Sequence, residues 1–352
     1  MSHFVAVVIG DNPEAQLAPY HEFECTGRDD QYVQDVDITE EARKEFSTHK
    51  KTRLKLPDGT LTDFFDDNGN WKPEYSRDTE TGREKAIPEG CEEVEGPAAE
   101  VMSFAEFVKD RYGVEAVRAG EAIDKTSTHK YGYMLLDADG NVTKVVDRTN
   151  PNSKWDYYTV GGRWMGYFKL KEGAGGALGR PGVFDNVADA GTADVLRKGD
   201  IDWEGMRRDA GAEAGARYDE VRKTAGDLEG FKPWSEFYAK VETGTLDIET
   251  ARKEFHAQPQ MQRLDANRDL HFFFDKLENY LVPRETFVAA AERRAGVPFA
   301  IVKDSKWYER GSMGWWGMVS NEEDMDTWVT KFWELIDGLP DDTIITVVDC
   351  HI

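Results

Sequence analysis

Both ends of the chain read as buried strands, and this constrains the fold more than any other feature. His3 to Ile9 (HFVAVVI) is an apolar run closed by the turn signal Gly10-Asp11-Asn12-Pro13. Thr343 to Asp349 (TIITVVD) is its counterpart at the other end. A strand apolar on both faces belongs inside a sheet. Pairing the two ends in one sheet ties down the termini and closes one domain around what lies between.

The intervening chain alternates helix and strand signals. Thr39 opens a charged helix, and Ser103 to Tyr112 is a second one, capped by Ser103 and stopped by Gly113. Tyr131 to Val146 (YGYMLLDADGNVTKVV) is a hairpin about the turn Asp137-Ala138-Asp139-Gly140-Asn141. That turn imitates the start of a calcium loop, but Arg148 stands at the twelfth position, where a glutamate is needed. Residues 14–37 read as extended or irregular. Residues 50–100 are polar, with few apolar anchors, and read as an excursion over the surface. The Gly-rich stretch 172–182 reads as a linker, since no GK[ST] follows it. Helical patterns then cover Ala188 to Lys198, Ile201 to Arg208, 212–225, Trp234 to Glu242 and Ile248 to His256. A helix near Phe287 to Ala295, a strand at Phe299 to Val302 and a helix at Glu322 to Gly338 precede the last strand.

The expected fold class is α+β, with a mixed or antiparallel sheet. At roughly 100–200 residues per domain, 352 residues allow two or three domains. The expected division is an N-terminal α/β half at 1–182, a helical insertion at 183–283 and a C-terminal α/β half at 284–352. A faint repeat supports two related halves. FAEFVKDRYGV (104–114) and FVAAAERRAGV (287–297) share Phe, Arg, Gly and Val at matched spacing. Each is followed by a strand and then Ser-Lys-Trp, at Ser153-Lys154-Trp155 and Ser305-Lys306-Trp307.

The first of these tripeptides opens SKWDYYTVGGRWMGYFKLK, where Gly161, Gly162 and Arg163 lie among aromatic residues. One reading makes the glycine pair a tight bend and the aromatics core filling. The other makes the bend aim Arg163 and Trp164 at a ligand. An arginine can stack on a ring while its fork holds a phosphate or carboxylate. On the second reading the ligand-binding set is Trp155, Tyr157, Tyr158, Gly161, Gly162, Arg163 and Trp164, joined by Trp307, Tyr308, Arg310 and Trp316 from the matching segment.

Acid–base chemistry has two candidate centres, His21 and His351, with Glu22, Glu24 or Asp349 as helpers. His21, Cys25, Cys350 and His351 show no recognised metal-ligand spacing, and neither a metal nor a cofactor is expected. Three scattered cysteines are no disulfide framework and fit a reducing cytoplasm. No stretch approaches 18 apolar residues, so no membrane span is expected. With 68 acidic against 44 basic residues the net charge is −24, which opposes direct binding to nucleic acid. An acidic surface also suits a decoy for a basic host protein. The aromatic surface is equally suited to oligomer contacts.

The segments MSHFVAVVIGDNPEAQLAPYHEFECTG, SKWDYYTVGGRW and LPDDTIITVVDCHI together resemble a family of uncharacterised bacteriophage proteins. The resemblance implies an intracellular setting in an infected bacterium and transfers no catalytic residue. Three functions stand open. One is an accessory protein, with a counter-defence role among its uses, that binds a small phosphorylated or nucleotide-like ligand or a host partner. The second is the acidic decoy. The third is a hydrolase using histidine and carboxylate chemistry.

Overall fold

The computed structural model describes residues 2–66, 70–79, 82–100, 102–183, 187–270 and 276–352. Parts of the expected excursion (67–69, 80, 81) and of the expected helical insertion (184–186, 271–275) lie outside the described residues. The chain is α+β, with several mixed and antiparallel sheets. It divides into two compact units, Met1–Pro19 with Lys154–Ile352, and Tyr20–Ser153. No helix among the described residues is long and apolar enough to cross a membrane.

The first unit is built on the terminal strands. Its main sheet contains β1 (His3–Ile9), β2 (Tyr157–Gly162), β3 (Val195–Arg197), β4 (Ala300–Lys303), β5 (Lys306–Glu309) and β6 (Ile344–His351). β6 runs antiparallel to β1, in register from His3 opposite His351 to Ile9 opposite Ile345. β1 is parallel to β4, and β4 is antiparallel to β5. The other flank of β6 is shared: β2 pairs with its C-terminal half and β3 with its N-terminal half.

Side chains alternate along each strand. Val5, Val7, Ile9, Ile301, Ile345 and Val347 therefore face one way and form a core with Trp328, Phe332 and Ile336. These three come from α3 (Met325–Asp337), whose Asp324 cap accepts from the amides of Asp326 and Thr327. Burying each such side chain contributes about 1.5–3 kcal/mol. Trp203 and Met206 of α1 (Trp203–Ala225) pack against this core, and α2 (Arg284–Arg294) meets α1 through Phe287 against Tyr218. A second, smaller core in this unit gathers Val221, Leu228, Phe231, Met261, Leu264, Leu277 and Tyr280.

Two local expectations change. Residues 188–198 were expected to be helical, but the chain there forms the strands Thr192–Ala193 and β3. Asp194 lies between them, wholly buried, and its carbonyl accepts from Val347 N at 2.8 Å. Leu196 is buried opposite Ile345. Tertiary contacts override the local helical pattern here. Residues 14–37 carry two short helices, Pro13–Leu17 and Phe23–Thr26, before the strand Gln34–Asp37.

In the second unit, helices Thr39–Thr48 and Phe104–Tyr112 share a core with a four-stranded sheet of Gln34–Asp37, Val142–Thr149, Gly132–Leu136 and Glu115–Val117. The hairpin expected over 131–146 is its centre. Ser103 and Glu106 form a reciprocal cap, and Gly113 ends its helix at φ +64°. The polar excursion contains ordered hairpins, with Lys50–Lys55 flanked by Leu61–Thr62 and Glu92–Pro97.

Candidate active site

At one end of the first unit's sheet the apolar runs stop and polar chemistry begins. The registers align Tyr157, His351 and His3 in one row across β2, β6 and β1. The next row inward is Thr159, Asp349 and Val5. By alternation both rows face the same side as the Val7, Ile345 and Val347 core.

Each histidine of the row has its own carboxylate. His3 Nδ1 lies 2.7 Å from Asp349 Oδ1. His351 Nδ1 lies 2.7 Å from both oxygens of Asp156. The two imidazoles meet edge to face, with centroids 4.7 Å apart. The Tyr157 ring stacks on His351 at 4.4 Å, and its hydroxyl lies 3.4 Å from His3 Nε2. The side chains of His3, Asp349 and His351 are all less than a tenth exposed, whereas Tyr157 is open to solvent. Among the described residues, His351 Nε2 has no hydrogen-bond partner.

A carboxylate at Nδ1 fixes the tautomer. In a neutral imidazole the nitrogen facing the carboxylate carries the hydrogen, and Nε2 is left with a free lone pair. Both rings therefore direct the same kind of nitrogen away from their anchors.

The glycine pair builds the roof over Asp349. Gly161 and Gly162 adopt φ of +79° and +58°. The turn is closed by bonds from Trp164 N to Gly161 O and from Met165 N to Gly162 O. Arg163 N then donates to Asp349 Oδ2 at 2.9 Å. A β-carbon on Gly162 would run into the Asp349 carboxylate. On Gly161 it would sit 2.8 Å from Asp194 Oδ2. Asp194 holds the far side of the loop: Oδ1 accepts from Gly166 N and Tyr167 N, and Oδ2 from Gly179 N.

The electrostatics bear on three groups. Burial raises the Tyr157 phenol above its ordinary range, and the negative charges of Asp156 and Asp349 push it the same way. The Arg163 charge opposes them more weakly. Cys350 is wholly buried and points to the opposite face, so burial and the same two carboxylates drive its thiol upward. That thiol is no nucleophile.

Of the residues singled out in the sequence, Tyr157, Gly161, Gly162, Arg163 and His351 come together here. Arg163 is exposed, and Trp164 is half-buried against the core. The others lie elsewhere. Trp155 is buried, donates from its indole nitrogen to Leu17 O at 3.1 Å and takes Tyr158 edge-on. Trp307 donates to Glu309 Oε2 at 2.8 Å, while Lys154 reaches Glu309 Oε1 at 2.7 Å. The two Ser-Lys-Trp segments thus meet at one carboxylate. Tyr308 stands exposed on β5. Arg310 pairs with Glu322 at 2.8 Å and covers the Phe299 ring. Trp316, 80% exposed at φ +62°, belongs to a hairpin held through Gly317 N to Ser2 Oγ.

His21 belongs to the second unit. It is fully buried, with Nδ1 2.9 Å from Thr26 Oγ1 and Nε2 3.3 Å from Asp30 Oδ1, so both nitrogens are engaged. Cys25 is exposed there. Glu22 stands at the position preceding the helix Phe23–Thr26, and Glu24 is exposed.

No family model, curated protein or solved structure matches this chain.

Sequence reasoning missed His3 and Asp156. A signal for His3 was present. Pairing the terminal strands antiparallel with Val7 opposite Val347 puts His3 opposite His351. Asp156 has no comparable signal, because its place depends on the bend that brings β2 alongside β6.

Proposed function

We propose that the protein is a hydrolase working by general acid–base catalysis at the paired histidines. The observation that carries this reading is that two adjacent imidazoles each have Nδ1 fixed by a separate carboxylate. Such an anchor orients the ring and stabilises the imidazolium formed when Nε2 accepts a proton. His351, with Nε2 unengaged, is the base that takes a proton from the attacking water. His3, whose Nε2 faces the Tyr157 hydroxyl, is the acid that returns one to the leaving group. Arg163 supplies positive charge at the mouth of the site, where the substrate's developing negative charge would lie. Asp156 and Asp349 are positioning residues.

The test uses the full chain and a panel of chromogenic esters of carboxylic and phosphoric acids. At least one ester should be turned over. His351→Gln should lower kcat/KM for it by about 100-fold or more, the usual range for general acid–base catalysis being roughly 10²–10⁴. Circular dichroism and thermal melts check that the variant folds. Turnover unchanged in both His351→Gln and His3→Gln, or no turnover of any ester, overturns the reading.

A further inference from the structure

Two separately anchored imidazoles are more than acyl transfer requires. Hydrolysis of a carboxylic ester passes through a tetrahedral intermediate. One imidazole can take the proton from the attacking group and later hand it to the leaving group. Displacement at phosphorus is different. The attacking and leaving oxygens lie roughly in line on opposite sides of the phosphorus. A single ring cannot reach both, so where the leaving oxygen is a poor leaving group and needs a proton, the acceptor and the donor are two groups. His3 and His351 are two such groups, on neighbouring strands, each locked by its own carboxylate. The exposed Arg163 follows the glycine turn that covers Asp349, and its charge suits the non-bridging oxygens of a phosphate.

The size of the substrate also follows. The two imidazoles are less than a tenth exposed, while Tyr157 and Arg163 form the open part of the site. A net charge of −24 repels a long polyanion, so the fitting substrate is short.

We propose that the paired histidines hydrolyse a small phosphodiester in one in-line step, an inference that rests on the acid–base reading above. Water attacks phosphorus and its proton passes to His351 Nε2. The new P–O bond forms as the bond to the leaving oxygen breaks, and that oxygen takes the Nε2 proton of His3, which enters the step as the imidazolium while His351 enters it neutral. The products are a phosphomonoester and an alcohol. Solvent then restores one proton to His3 and removes one from His351. No oxidant, reductant or further reactant is needed.

Three probes separate this inference from its foundation: bis(p-nitrophenyl) phosphate, a deoxydinucleoside monophosphate, and p-nitrophenyl acetate. The full chain should hydrolyse both diesters. His351→Gln should slow both by about 100-fold or more, since both need the base. His3→Gln should slow the dinucleotide by a similar factor but the nitrophenyl diester by less than about 10-fold, because nitrophenolate leaves without a proton. A purely structural role for His3 would slow both diesters equally, and that result overturns the assigned roles. Arg163→Ala should raise KM for both diesters, because its guanidinium is assigned to the non-bridging phosphate oxygens. Hydrolysis of the acetate alone, dependent on His351, would leave the acid–base reading standing and remove the phosphodiester. Hydrolysis of none of the three removes the phosphodiester, and the wider ester panel then decides the acid–base reading.

Discussion

Gly162 answers to two independent demands. Its φ of +58° strains any residue with a β-carbon, and that carbon would strike the carboxylate of Asp349. Asp349 cannot move aside cheaply, because one oxygen holds His3 and the other holds Arg163 N. Gly162→Ala is therefore expected to destabilise the protein by roughly 2–4 kcal/mol, adding backbone strain to overpacking. Gly173 is the control. Its φ is +77° but nothing lies within 4 Å of its β-carbon position. Gly173→Ala should cost only the strain, about 1 kcal/mol. Urea unfolding midpoints measure both, and equal losses would remove the steric argument. The glycine pair stands out in the sequence, but its reason does not, because Arg163 and Asp349 are 186 residues apart. His351 lies 195 residues from Asp156, which is why the histidine was legible as a candidate while its carboxylate anchor was not. A residue's chemistry can be read locally, but its partner depends on which strands meet.

At the scale of elements, the strands that were legible are those whose composition leaves no alternative. β1 and β6 are apolar on both faces and can only be internal. Residues 188–198 were illegible for the opposite reason. Their few apolar positions fit a helix as well as a strand, and the outcome is decided by Asp194. Its carboxylate binds three backbone amides, from Gly166, Tyr167 and Gly179, and so holds together the loop after β2 and the chain before β3. Asp194→Ala leaves three donors without their acceptor. Gly166, Tyr167 and Gly179 are half-buried, so water can meet part of the deficit and a loss of about 1–3 kcal/mol is expected. Asp194→Asn should not restore it. The amide replaces one acceptor oxygen with a donor, which then faces another N–H. A urea titration in which the Asn variant matches the native protein would show that the charge-independent shape of the side chain suffices, contrary to this account.

For the whole molecule, charge sets the response to pH, and the signs can be worked out group by group. Hydrogen bonds and cations hold Asp35, Glu45, Asp219 and Asp341 below the ordinary carboxylate range, and hydroxyl and amide donors from Ser127 and Thr126 bring Asp124 down to about 2. A carboxyl whose folded pKa is depressed stabilises the fold above its unfolded pKa, and this is lost as pH falls through the folded value. Asp147 has the opposite sign. Burial, then Glu24 and Glu41, raise it, so its contribution is complete in acid and is lost as pH rises through its folded value. The depressed groups outnumber it, and the acid limb should be steep. Self-repulsion acts separately. At pH 7 the formal charge is −24, and the isoelectric point is near 4.7. Lowering the pH first discharges the surface before the hydrogen-bonded carboxylates titrate. Thermal stability should therefore rise from pH 7 to a maximum near about pH 5–6 and fall below about pH 4. Added salt should raise the melting temperature at pH 7, where repulsion is screened, and change it little near pH 5. Calorimetry is the suitable measurement, because two compact units need not melt together. A steady decline from pH 7 downward, with no response to salt, would mean that the paired carboxylates outweigh the net charge throughout.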